Sequence, residues 1–249
     1  MLDYKRFQTA LQTVLSSENK KNGIGTLGEK TVHAVLKHCY EPDQTHHEVK
    51  CGDFVADILS ENNVFEIQSR GFERLLPKLN FFLEHYDVTI IYPIVVQKEI
   101  IWIVSETGEC RKPRISNKHG NALDLFPELY KIRSFLTHPH LHIRAVMIEA
   151  REYRMLDGQG EQKKKHATKE KLIPTEFLQE ISVNHPQDYL SLLPQTLSQT
   201  FTAETLCRES GATLRSARMT LRVLREFNLI EKIGKEKRQY LYSVLIQNS

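Results

Sequence analysis

Gly52-Asp-Phe-Val-Ala-Asp57-Ile-Leu-Ser-Glu-Asn-Asn-Val-Phe-Glu66-Ile-Gln68-Ser-Arg-Gly-Phe72 is the stretch from which the rest of the chain can be placed. Its centre, Ser60-Glu61-Asn62-Asn63, is a polar turn between two β-prone runs, which predicts a hairpin. Side chains alternate across a strand, so Val55, Asp57 and Leu59 share one face of the first run. In the second run Val64, Glu66 and Gln68 share a face, opposed to Phe65 and Ile67. Acids thus stand where an ordinary core has apolar side chains. A buried carboxylate is costly unless it is paired or binds a metal. Two carboxylates brought together across adjacent strands form a seat for a divalent cation that prefers hard oxygen ligands.

Asp57, eight intervening residues, then Glu66-Ile67-Gln68 resembles the PD-(D/E)xK nuclease superfamily over roughly residues 20–105. The resemblance implies a restriction-endonuclease-like fold whose metal site pairs an Asp on one strand with a Glu-x-Lys on the next. Many members add a Glu from a preceding helix, and Glu29 in Gly28-Glu29-Lys30 matches that position. By this resemblance Asp57 and Glu66 ligate Mg²⁺ (or Mn²⁺), with Glu29 bound directly or through water. Gln68 stands where the family has Lys and would orient the water or the phosphate, although an amide supplies no positive charge. In members lacking that Lys a cation from a neighbouring element can replace it, which makes Lys78 and Arg70 auxiliary candidates.

The composition is that of a globular protein: 249 residues, 40% apolar and 26% charged. No apolar run approaches the roughly 18 residues that cross a bilayer. The opening Met-Leu-Asp-Tyr-Lys-Arg lacks the apolar stretch of a secretion signal, and the four scattered cysteines form no Cys-x-x-Cys pair. The expectation is a cytoplasmic protein with reduced thiols and no membrane partner. A net charge of +3 does not by itself announce nucleic-acid binding, so the placement of the basic residues carries more weight.

Helical periodicity covers residues 3–16 and about 26–39, and strands are expected at 46–50, 53–60 and 63–68. A helix at 72–86 carries Lys78, and the apolar run from Asp87 reads as a strand buried on both faces, with 100–104 as its hairpin partner. The order helix, three strands, helix, strand is the αβββαβ core that the resemblance implies. Arg111, Lys112, Arg114 and Lys118 then make a basic loop, either a phosphate-contacting surface or a solvated one. Residues 124–136 read as an amphipathic helix and 141–148 as a strand. His138, His140 and His142 between them lack the neighbours of a zinc site. The expected organisation is a nuclease-like domain with an extension (1–156), a basic linker (157–187) and a winged helix-turn-helix domain (188–249).

That last domain rests on a short helix ending at Gly211, a second helix over 213–227, and a hairpin over 231–244. Leu214, Ala217, Leu221 and Leu224 form the inward stripe of the second helix. Arg215, Arg218, Arg222 and Arg225 repeat that spacing one position later, and Lys235, Lys237 and Arg238 sit at the hairpin tip. A helix with such a stripe can enter a major groove between phosphates. The expected function is a metal-dependent DNA endonuclease with a DNA-holding tail, and a homodimer is compatible with it. The alternative is a non-catalytic DNA-binding regulator whose nuclease-like domain serves as a ligand or partner module. RNA processing fits less well, because no stacking aromatics are evident beside the basic residues.

Overall fold

The computed structural model describes residues 2–20, 28–156 and 168–245, and side chains at 2–17, 31–156 and 171–245. The architecture is mixed α+β. Helices α1 (Tyr4–Lys20) and α2 (Gly28–Tyr40) precede strands β1 (His47–Cys51), β2 (Phe54–Ser60) and β3 (Asn63–Ile67). Helix α3 (Leu76–Phe82) leads into β4 (Asp87–Val104) and the short β5 (Arg114–Ile115). After α4 (Phe126–Leu129) come β6 (Leu141–Leu156) and β7 (Thr168–Val183). These seven strands form one mixed sheet in the order β1-β2-β3-β4-β6-β7, with β5 paired to β4. Then follow β8 (Thr200–Phe201), α5 (Ala203–Ser210), α6 (Leu214–Glu226), β9 (Ile230–Glu236) and β10 (Gln239–Val244), whose strands form a second sheet, β8-β10-β9. Among the described residues no helix is long and apolar enough to cross a membrane.

The chain packs as two compact units. The first comprises Met1–Val49, Val95–His119 and Val146–Glu180, the second Lys50–Ile94, Gly120–Ala145 and Ile181–Ser249. In the first, α1 buries Phe7, Ala10, Leu11 and Val14, and α2 buries Val32, Val35, Leu36 and Cys39, each at the spacing of one helical face. The Glu180 carboxylate accepts the Leu2 amide at 3.4 Å and the Tyr40 hydroxyl at 2.5 Å, tying β7 to the residues that lead into α1 and to the end of α2. Residues 168–183, expected within a linker, are therefore a sheet strand; 157–167 lie outside the described residues. Composition misleads here because a ladder needs only backbone groups, and the polar side chains of β7 can face water.

In the second unit β2 and β3 form the expected hairpin, with Ile58 opposite Phe65 and Ser60 opposite Asn63. Gly52, at φ +60°, makes the turn before β2. A Cβ there would lie 2.7 Å from the Phe81 ring, so the position also needs the absence of a side chain. From β3 the chain crosses through a 3₁₀ turn (Phe72–Leu75) and α3 to return as β4 parallel to β3, with Glu66 beside Ile90. Val88 to Tyr92 are all buried, as a strand covered on both faces requires.

Three expectations about element boundaries are corrected. The helix placed at 72–86 is only seven residues of α-helix after a 3₁₀ turn, because Pro77 is suited to a helix's first turn. No hairpin separates 87–96 from 100–104. Gln97-Lys98-Glu99 carries no glycine or asparagine to turn the chain, so β4 runs straight on for 18 residues and β5 becomes the partner of its far half. Residues 124–136 form short turns rather than one helix: Asn121 and Asp124 cap a 3₁₀ turn (Ala122–Leu125), which passes into α4 and a second turn (Tyr130–Ile132).

The tail helices and hairpin form where the sequence puts them, and β8 adds a strand too short to show a pattern. The tail is part of the second unit. The Ser216 hydroxyl of α6 donates to Asp124 Oδ1 at 3.2 Å, and Phe227 stacks on Tyr189 with ring centroids 5.6 Å apart.

Candidate acidic site and cationic groove

One step beyond the Ile58–Phe65 pair, the hairpin register sets Asp57 opposite Glu66, and opposed residues share a face. Glu66 lies between the buried Val64 and Ile67 and is itself only 3% exposed. Burial pushes its carboxyl up to about 7, and the Asp57 charge adds to the rise while Lys78 opposes it. Asp57 is half-buried and accepts the Ile67 amide at 2.8 Å, which fixes its carboxylate across the hairpin from its own strand.

Lys78, the auxiliary candidate on α3, reaches Glu66. Its Nζ donates to Glu66 Oε1 at 2.9 Å, to Oε2 at 2.8 Å and to the Val55 carbonyl at 2.7 Å. Arg70 is exposed on the turn beyond β3. Gln68 donates its amide to the Arg70 carbonyl, closing the turn that leads to Gly71. The sequence-based role for Gln68, orienting water or phosphate, thus competes with a local structural bond. Glu29 opens α2, but its side chain lies outside the described residues.

Two carboxylates and an ammonium carry a net charge of −1 when ionised. Carboxylate oxygens are donors that hard cations take in preference to soft ones. Gln68 supplies no charge here, whereas Lys78 on α3 brings an ammonium to Glu66.

The tail arginines are placed as expected. Arg215, Arg218, Arg222 and Arg225 are all exposed along one arc of α6, and Ala217, Leu221 and Leu224 are buried on the other. Leu214, expected inward, is 40% exposed: it is the first helical residue, before the helix reaches the packing surface. Arg218, Arg222 and Arg225 line a groove of about 760 Å³ completed by Arg238, Tyr240 and Tyr242 of the hairpin. Lys235, Lys237 and Arg238 are exposed around the hairpin tip.

Aromatic rings do accompany these cations. The Arg222 guanidinium lies 4.4 Å from the Tyr130 ring centre, and Arg133 covers the same ring at 4.6 Å. Lys232 Nζ sits 3.2 Å from the Tyr240 ring centre, with Lys235 at 5.3 Å. Sequence reasoning missed both tyrosines. Tyr240 was readable in principle, since it follows the basic hairpin tip at the start of β10, whereas Tyr130 has no signal in the linear chain.

The other candidates stay apart. His140 Nδ1 pairs with Asp87 at 2.7 Å and no described metal cluster includes His138, His140 or His142. Arg111, Lys112, Arg114 and Lys118 are exposed on the segment that pairs with β4. All four cysteines are free thiols.

A family model described as "Domain of unknown function (DUF8091)" matches residues 30–184, more than half of the chain. The chain is also 27% identical over 224 residues to an uncharacterized protein of Treponema pallidum (strain Nichols), covering 88% of this chain and 86% of that one. No solved structure matches.

Proposed function

The chain belongs to the DUF8091 family, and we propose that it is a divalent-metal-dependent deoxyribonuclease with a restriction-endonuclease-like core and a winged-helix tail that holds the DNA. The observation that carries the reading is the meeting of Asp57, Glu66 and Lys78 on one face of the β2–β3 hairpin. The order α2, β1, β2, β3, α3, β4, with β4 parallel to β3, supports the core assignment. Two helices followed by a hairpin, with arginines on one exposed arc of α6, support the tail assignment.

Asp57 and Glu66 would hold Mg²⁺ or Mn²⁺, with Glu29 as the ligand the resemblance adds. A cation bound there supplies Lewis acidity and lowers the pKa of a bound water. The protein's own work is positional. The Ile67 amide keeps Asp57 turned toward Glu66, and α3 delivers an ammonium to Glu66. Lys78, released from one Glu66 oxygen, can hold a substrate phosphate oxygen as charge develops on it.

The experiment is incubation of the full chain with supercoiled plasmid and with branched DNA in Mg²⁺, Mn²⁺ or EDTA. Cleavage is expected with either metal, not with EDTA, and is expected to fall to background in Asp57→Asn and Glu66→Gln. A second reading, a DNA-binding regulator without catalysis, is favoured by one observation: Lys78 already satisfies both Glu66 oxygens. DNA binding without cleavage under any of the metals decides for it.

A further inference from the structure

A duplex offers α6 its phosphate ridges, and arginines alone suffice to grip them. The groove between α6 and the hairpin contains more. Tyr240 is 45% exposed and Leu214 40% exposed, so apolar surface lies open inside a cationic recess. That surface gains nothing from a phosphate but does gain from the face of an unpaired base. Glu204 and Glu226 also line the groove, and their carboxylates repel phosphates. They can, however, accept hydrogen bonds from the exocyclic amino groups of bases, and Gln239 beside them can both donate and accept. In an intact duplex the base faces are stacked and out of reach.

We propose that this groove takes a single-stranded segment of DNA, with the arginines on its phosphates and Tyr240 under one of its bases. The preferred substrate is then DNA with an unpaired strand, such as a fork, flap or overhang. The inference rests on the reading of the tail as the DNA handle. Lys232 and Lys235, which flank the Tyr240 ring, are long flexible cations that can move from the ring to the phosphates of an arriving strand.

The test is fluorescence anisotropy of the full chain in EDTA with three labelled probes of one mixed sequence: a single strand, a blunt duplex and a fork. The single strand and the fork are expected to bind at least about tenfold more tightly than the duplex. Tyr240→Ala should remove most of that preference, about tenfold in single-strand affinity, and Tyr240→Phe should keep it, because stacking needs the ring and not the hydroxyl. Equal affinity for duplex and single strand overturns the proposal even if Tyr240→Ala fails to fold. An equal loss on both probes in Tyr240→Ala overturns it as well. In either case the DNA-handle reading stands as long as Arg218→Ala and Arg222→Ala weaken binding. If no probe binds, both fall.

Discussion

Glu66 is a carboxylate in a buried strand, and Lys78 is the residue that makes its burial tolerable. Breaking such a pair from one side leaves an uncompensated acid, so Lys78→Met is expected to lose about 3 kcal/mol of stability in EDTA, measured by urea unfolding. Lys78→Met combined with Glu66→Gln should recover most of that loss, since the acid that needed the ammonium is gone. The pH dependence has a definite sign. Glu66 ionises near its ordinary 4.5 in the unfolded chain and near about 7 in the fold, so between those values the native state holds the extra proton. Its contribution to stability is full below about 4.5 and is lost as pH rises through about 7 in metal-free protein. Glu66→Gln should flatten that part of the stability profile, and unchanged curvature would show that Glu66 is not the titrating group.

Helix α6 is amphipathic with a sharp boundary. The Thr213 hydroxyl accepts the Ser216 amide at 3.1 Å to start it, and Ser216, Thr220 and Val223 are buried along one flank. The arginine arc is what remains for a ligand. Two of its members differ in what they touch. Arg218 faces the groove, while Arg222 both lines the groove and lies over Tyr130. Each replacement by Ala is expected to reduce the slope of log affinity against log salt by roughly one unit, as one phosphate contact is lost. Arg222→Ala should also lower stability by about 0.5–1 kcal/mol through the lost ring contact, an effect absent from Arg218→Ala. Titrations at several salt concentrations alongside thermal unfolding separate the two terms.

The second unit contains both the acidic hairpin and the tail, so the arginines and the carboxylates belong to one compact body. Leu125, Phe126 and Leu129 are fully buried, and they lie in the turn and the short helix against which α6 packs. A chain ending at Asn184 would expose that surface. We expect it to lose the cooperative unfolding of this unit and to associate, as seen by calorimetry and gel filtration. A monomer with an unchanged melting temperature would instead show that the tail is an independent domain, as its composition suggests.

The hairpin, the buried strand after Asp87, the paired acids and the arginine arc were all legible in the sequence, because period-two and period-3.6 patterns are local and survive any packing. What failed did so for a nonlocal reason. β7 hides under a polar composition because strand ladders are made by the backbone. The helix expected at 124–136 breaks into turns, and its residues meet α6 from across the chain. Lys78 could be named as a candidate from the sequence, but only the crossover from β3 through α3 decides that its ammonium meets Glu66. Tyr130 reaches Arg222 over 92 residues of chain for the same reason. Local pattern determined which faces are apolar and where acids and arginines lie on them. Tertiary packing decided which of those groups touch, since burial and electrostatic pairing act between residues that only the folded chain brings within a few ångströms.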